Sequence, residues 1–498
     1  MNKKILWLTY ILYLLVSGLT MTRHELWSDE VHSWNLAKGS DTYPELIHNR
    51  RFEGHPPGWH TILWSITKVT HNVAWMQVVQ WIIAALTIFL LLFYAPFPPG
   101  IRILLCFGYF FLFEYGIMSR NYEVGVLLAF CVCLVLHKEF RYKLPLYYLL
   151  LFLLSNIHLL ALILAGSIHL YFLLSELEKG KKKALLFHIL AGALILLPAV
   201  FFIYPPPDST TNIGFFVDRW TPHQLLTTAD APLRSFLPMP AWWKYHFWNT
   251  QFLIEAENSH HLFKFINPLL SLVFIAGALF TLRKSRKASI LFGANLLLNL
   301  LVSVTAFPLH DTRYSGFIFI GFIIALWLYC YEIPLFFPNH RWVYALLITQ
   351  AIAGLFITIR DIQLPFSNLS RISELIKETP AGERLVTDYW TMNSFVAYTD
   401  KPAYCVDMQR ELSFVLWGPD MTALHKNKNR YTSGLQHLFQ DTTLSSVYMI
   451  SMGSPPMLAE TDVQLPKEFH LSLLDSRQGA IETGGDLYLY KITRKDHP

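Results

Sequence analysis

Residues 3–30 read KKILWLTYILYLLVSGLTMTRHELWSDE: a basic start, an apolar run from Ile5 to about Met21, then two adjacent carboxylates, Asp29 and Glu30. The run is of membrane length and follows Asn2-Lys3-Lys4 without a small-residue cleavage site, so it reads as a retained anchor and not as a signal peptide. Composition extends that reading to the rest of the chain. Of 498 residues, 53% are hydrophobic and 15% charged, which leaves most of the chain facing lipid.

Apolar runs recur at 73–94, 103–118, 122–136, 144–155, 157–174, 184–204, 263–282, 288–307, 316–331 and 342–359, which makes about eleven spans. Lys and Arg collect in cytoplasmic loops. With the N terminus inside, the inner loops hold Arg102, His137 to Lys143, Lys179 to Lys183, Arg283 to Lys287, and His340 with Arg341. The stretch Pro56 to Thr70 tempts one more span, but it is short and carries Lys68. Laid along the outer interface, where Trp59 and Trp64 suit the boundary, it preserves the alternation. The expectation is a multi-pass protein of a bacterial cytoplasmic membrane, with its N terminus cytoplasmic and outer loops at 22–72 and 205–262.

From Arg360 onward charged and turn-forming residues return. The fold class expected is an all-α polytopic membrane domain over residues 1–360, followed at 361–498 by a small soluble extracytoplasmic α/β domain. Its strands are expected at Arg384–Thr387, Ala403–Val406, Ser446–Ile450 and Leu487–Tyr490, and its helices at Ser370–Glu378 and Thr432–Phe439. Cys106, Cys131, Cys133 and Cys330 lie in apolar runs and Cys405 in the tail, so the cysteines build no disulfide framework.

Two carboxylates at a membrane boundary are costly to desolvate unless paired or used. Asp29 and Glu30 equally suit the cap of an amphipathic helix over Val31 to Lys38. The first outer loop ends Arg50-Arg51-Phe52-Glu53-Gly54-His55-Pro56-Pro57-Gly58-Trp59, where the prolines can begin a helix and fix Glu53 and His55 at a junction, as site residues or as a rigid joint. Short turns bring Arg120 with Tyr122, Asn156 with His158, and Arg313 with Tyr314. A lone Arg snorkels at a helix end without any function, but three such turns facing a carboxylate-rich loop argue for a converging site. The second outer loop holds Pro205-Pro206-Pro207, Asp218-Arg219-Trp220 and an aromatic cluster from Trp242 to Trp248. That cluster suits interface anchoring first and a lid over a carbohydrate site second.

Five of these segments together resemble a known family. Leu26-Trp27-Ser28-Asp29-Glu30 after the first span, His55-Pro56-Pro57, Ser119-Arg120-Asn121-Tyr122, the Asn156 to His158 turn, and Arg313-Tyr314 before a late span are similar in order and spacing to the membrane glycosyltransferases of the GT-C fold. The likeness is to the branch that holds protein O-mannosyltransferases and the lipid A aminoarabinose transferase, and it covers residues 5 to 330. It implies a polyprenyl- or dolichyl-phosphate sugar donor, a catalytic Asp in the first outer loop, and inversion at the anomeric carbon. The acceptor it implies is a protein, lipid or glycan, with no nucleic acid involved. Carried over, Asp29 is the general base and Glu30 its neighbour in the acidic pair. Arg120, Tyr122, Arg313 and Tyr314 bind the donor phosphate, and Glu53, His55 and His158 bind substrate.

The chemistry is consistent: a carboxylate takes the acceptor proton, and planar, permanently charged guanidinium groups stabilise a leaving phosphate. The residues alone fix no cofactor. A divalent metal, with Glu53, His55 and His158 as ligands, is the one cofactor the resemblance allows. The rival readings are a transporter or lipid flippase, opposed by ionisable residues gathered at one face and not at the midplane, and a non-catalytic membrane scaffold.

Overall fold

The computed structural model describes residues 3–180, 182–204, 206, 221–305, 309–333, 341–380, 382–418, 430–441, 443–452 and 469–494. Helix α1 (Lys3–Arg23) leads into a compact first loop made of α2 (Ser28–Lys38), α3 (Tyr43–Asn49) and α4 (Gly58–Thr67). Then come α5 (Ala74–Tyr94), α6 (Pro99–Cys106), α7 (Tyr122–His137), α8 (Lys143–Ser155), α9 (Leu159–Glu178) and α10 (Lys182–Ile203). A second long loop holds α11 (Pro222–Phe236) and α12 (Phe252–Glu255), and the bundle closes with α13 (Phe263–Leu282), α14 (Arg286–Thr305), α15 (Thr312–Glu332) and α16 (Arg341–Gln363).

Eight of these helices, α1, α5, α9, α10, α13, α14, α15 and α16, are long and apolar enough to cross a membrane. Their packing is that of helices in lipid. Helix α1 turns Thr9, Tyr13, Ser17 and Thr20 inward and leaves Leu8 and Leu15 exposed. Helix α14 buries Asn295, Asn299 and Ser303 and exposes Leu297 and Leu301. With lipid outside there is no hydrophobic gain in burying Leu, so small and polar residues make the helix contacts. Asn295 Nδ2 accordingly donates to the Phe317 carbonyl at 3.1 Å. Helix α15 forms the axis of the bundle and is buried from Ser315 to Cys330.

The count of eleven spans is not reproduced. The run 103–118 is broken: α6 ends at Cys106 and a π-helical turn occupies Phe110–Glu114. Helices α7 and α8 have only 16 and 13 residues. The second long loop also holds an element absent from the sequence reading. Helix α11 sinks into the bundle, where Ser235 Oγ accepts the Phe319 N–H (2.8 Å) and Gln350 Nε2 donates to the carbonyls of Ser235 (3.0 Å) and Phe236 (3.1 Å). Pro205, Pro207 and Asp218-Arg219-Trp220 of the same loop lie outside the described residues.

After α16 come α17 (Ile372–Glu378), β1 (Arg384–Thr387), α18 (Tyr389–Thr399), β2 (Ala403–Cys405), β3 (Arg410–Leu412), α19 (Arg430–Leu438), β4 (Ser446–Met452), β5 (Phe469–Arg477) and β6 (Leu487–Arg494). The strands form one sheet in the order β3-β2-β1-β4-β6-β5, with β1 parallel to both β2 and β4 and the outer pairs antiparallel. The four strands and two helices read from the sequence are all present; α18, β3 and β5 are additional. All five cysteines are unpaired.

This sheet region is knitted to the first loop. Asn35 Nδ2 donates to the Asn393 carbonyl (2.6 Å), Lys38 pairs with Asp400 (2.7 Å), and Ser367 Oγ donates to the Leu26 carbonyl (3.0 Å). Helix α2 is therefore not the half-exposed amphipathic helix its sequence suggests; it is buried from Glu30 to Ala37. Trp59 is likewise interior and not interfacial, at 1% exposure, while Trp64 stays half-exposed with its indole N–H on the Ser40 carbonyl (2.9 Å).

Candidate active site

The extended backbone of Trp27 (φ −100°, ψ 174°) turns the chain from α1 into α2. From the first turn of α2, Glu30 reaches back to accept the Trp27 N–H at 3.0 Å, satisfying one of the free donors of a helix start. Its other oxygen accepts the Ser119 N–H at 2.5 Å. His24 stands 3.5 Å from Glu30 through Nε2 and 3.0 Å from Asp361 through Nδ1, and all three side chains are fully buried. Burial alone works against charge on His24, but Asp361 and then Glu30 overcome it and hold the imidazolium with a pKa raised to about 10. Glu30 thus joins the ends of α1 and α16 to the turn before α7. The sequence reading paired it with Asp29 as a catalytic residue; its oxygens are instead taken up by backbone donors and His24.

Successive helical residues point about 100° apart, and Asp29 faces elsewhere. Its side chain keeps 36% exposure, with Arg313 Nη1 at 3.1 Å and Arg120 Nη2 at 3.9 Å from Oδ2. Arg120 Nη1 also donates to the Asp29 carbonyl (2.5 Å) and to Ser33 Oγ (3.0 Å). Arg313 pairs in addition with Asp311 at 2.9 Å. Its guanidinium sits over the rings of Tyr314 (4.6 Å), Trp27 (4.7 Å) and Trp248 (5.8 Å), which hold a cation in a partly apolar place.

Both guanidinium groups keep an unpartnered donor. The Nε atoms of Arg120 and Arg313 and the hydroxyl of Tyr122 are buried without a hydrogen-bond partner among the described residues. Such a group costs about 1–3 kcal/mol, so donors left open around one carboxylate mark a place shaped for an acceptor-rich ligand. Tyr122 is held by stacking on Tyr115 (5.4 Å), whose own hydroxyl donates to the Arg313 carbonyl at 2.7 Å.

The junction residues form a neighbouring cluster. Glu53 Oε1 lies 2.8 Å from His32 Nε2, and Trp417 and Asn393 of the C-terminal region also approach the His32 ring, at 3.2 and 3.3 Å. Burial opposes charge on both, but each holds the other ionised: the His32 pKa is raised and that of Glu53 falls to about 2. Burial, then the nearby Arg120, lowers the His55 pKa to about 4, so His55 is neutral at pH 7, and its Nδ1 has no partner among the described residues. His158 begins α9, with Nδ1 accepting the Ala161 N–H at 3.2 Å and its ring edge-on to Tyr122 at 5.2 Å. Gly58 lets these pieces meet: its N–H donates to the Asn156 carbonyl at 3.0 Å, and a Cβ there would stand 2.6 Å from that oxygen.

The chain matches no protein-family model and no curated protein. The site therefore rests on its own geometry, which gathers Asp29, Arg120, Tyr122, Arg313 and Tyr314 and sets Glu53, His55 and His158 beside them. Among the described residues no group of three or more His, Cys, Asp or Glu side chains is arranged to hold a metal ion. Sequence reasoning quoted the segments that hold Trp27, Trp248 and Asp311 but gave these residues no role around Arg313. It also missed Glu114, which accepts from Tyr109 (2.8 Å) and Trp248 (3.1 Å), although an acid inside an apolar run was a visible signal.

Proposed function

We propose that this chain is a glycosyltransferase of the GT-C kind, moving a sugar from a polyprenyl-phosphate carrier to an acceptor hydroxyl at the outer membrane face. The observation that carries the reading is the accessible Asp29 carboxylate set between two buried arginines that each retain an open N–H. The acceptor oxygen attacks the anomeric carbon, and its proton passes to Asp29. The bond from that carbon to the phosphate oxygen breaks, with its electron pair leaving on the lipid phosphate. Arg120, Arg313 and the Tyr122 hydroxyl receive the phosphate oxygens.

The pairing of Arg313 with Asp29 gives the donor a second effect. A phosphate that draws the guanidinium toward itself weakens the ion pair and frees the Asp29 carboxylate for the acceptor hydroxyl only once donor is bound. Neutral His55 supplies a hydrogen bond to sugar or acceptor. Glu30 holds α2 in place, and no step is routed through a metal.

In this reading α6 with its π-turn, α7 and α8 complete an eleven-crossing bundle. The N terminus is cytoplasmic, and the Asp29 end and the C-terminal sheet are outside. Protein, lipid and glycan all qualify as acceptors. The test is purified protein in lipid nanodiscs with radiolabelled polyprenyl-phosphate sugars and a panel of hydroxyl acceptors, water included. Label leaving the lipid supports transfer. Label that crosses a proteoliposome bilayer still joined to its lipid would instead identify a carrier.

A further inference from the structure

The loop between β5 and β6 is bolted to the bundle. Its Ile481 and Glu482 N–H groups donate to the carbonyls of Pro365 and Phe366, both at 3.0 Å, and the Ile481 carbonyl accepts the Trp248 N–H at 3.4 Å. Tyr245 Oη accepts the Gly479 N–H at 2.6 Å, and His246 Nδ1 lies 3.0 Å from the Ala480 carbonyl. This fixes Glu482 on the side of Trp248, the residue that packs against Trp27 (4.9 Å) and Arg313.

Glu482 is 6% exposed, and its Oε2 is buried without a hydrogen-bond partner among the described residues. The loop is shaped around that carboxyl: Gly484 takes φ +91°, and a Cβ on Gly485 would come within 3.0 Å of Oε2 and 2.8 Å of the Ala480 Cβ. A buried carboxyl oxygen left without a partner among the described residues needs another explanation. The charged and titratable groups around it are Asp29, Arg313 and Asp486, with Tyr245 and His246 on the segment packed against the loop.

We infer that Glu482 is a third carboxyl of the transfer site, contributed by the C-terminal sheet, and that it hydrogen-bonds a hydroxyl of the transferred sugar. The inference rests on the glycosyl-transfer reading. Burial, then the Asp29 charge, pushes the Glu482 pKa well above the ordinary carboxylate range. In the neutral state its O–H donates to a sugar oxygen and its carbonyl accepts the hydroxyl hydrogen. A neutral acid also neither repels the donor phosphate nor competes with Asp29 for Arg313. The C-terminal region is thereby part of the site.

The experiment compares wild type, Glu482→Ala and Glu482→Gln, each confirmed folded by size exclusion and thermal stability. The substrates are polyprenyl-phosphate sugars, including analogues that each lack one ring hydroxyl. The expected result is a fall of roughly 10- to 100-fold in kcat/KM for Glu482→Ala, with a clearly smaller fall for Glu482→Gln. One deoxy donor should be discriminated against by wild type and not by Glu482→Ala. Wild type should also lose activity at alkaline pH as Glu482 ionises, a limb absent in Glu482→Gln. Equal losses in both variants with an unshifted pH profile and unchanged deoxy-donor discrimination would show a structural role and overturn the inference. So would wild-type kinetics in both. If wild type transfers no sugar from any such lipid, the function reading itself fails, and this inference with it.

Discussion

Asp29 and Glu30 are neighbours in sequence and opposites in structure. Glu30 sits in a closed cluster with His24 and Asp361, with all three side chains at 0% exposure and its oxygens engaged by backbone N–H groups. Asp29 sits in an open one, 36% exposed, facing two arginines that retain free donors. Burial of a charge is thus not by itself a sign of function. What separates the two clusters is whether the carboxylate's own oxygens are used up inside the protein.

The contrast breaks most sharply at Asp29. Asp29→Asn keeps the shape and removes the base, so turnover should fall by roughly 10² to 10⁴ while thermal stability stays within about 1 kcal/mol of wild type. A variant that still turns over at the wild-type rate in the nanodisc assay removes Asp29 from the mechanism. Arg313→Ala should lower turnover by roughly 10² to 10³. Arg313→Lys should recover only part of that, because a point charge cannot reproduce the fork; full recovery by Lys would argue against a bidentate phosphate contact.

Glu30→Ala should reverse the pattern. It leaves the Trp27 and Ser119 N–H groups without their acceptor and His24 with Asp361 alone, and costs about 3–5 kcal/mol of stability, with activity per folded molecule changed far less than by Asp29→Asn. Denaturation in detergent and turnover normalised to folded protein separate the two effects. Gly58→Ala should be milder, about 1–3 kcal/mol, since its Cβ presses on the Asn156 carbonyl and pushes α4 off the 155–158 turn.

The closed cluster also carries a pH signature. The His24 pKa is raised on folding from 6.5 to about 10, so its stabilisation is complete below pH 6.5 and is lost as pH rises toward about 10. Unfolding midpoints measured across that window should decline in wild type and flatten in His24→Asn. A wild-type profile that rises there would contradict the charged imidazolium.

How much of this the residues announced depends on how local each feature is. Hydropathy is a property of a run, so α1, α5 and α9 were legible, and so were the strands at 384–387 and 446–450. The π-turn at Phe110–Glu114 and helix α11, with Pro232 inside it, were not. The π-turn is held by packing against α15 and α16, and the burial of α11 by packing against α13 and α15, contacts distant in sequence. Asp29, Arg120 and Arg313 were visible as charges at helix ends. The different fates of Asp29 and Glu30 were not, because they depend on Ser119, His24 and Asp361, distant in sequence. Glu482 was invisible for the same reason: nothing near it in the chain reveals that its loop docks on Trp248 and Pro365.

The most direct test is a cryo-EM structure of the protein in nanodiscs with a bound polyprenyl phosphate. The account predicts phosphate oxygens within hydrogen-bonding distance of Arg120 and Arg313, the Tyr122 hydroxyl engaged, and an Arg313 to Asp29 separation longer than 3.1 Å. A lipid phosphate seated at the other end of the bundle, or bound at this end with the Arg313–Asp29 pair unchanged and both Nε donors still open, would contradict it.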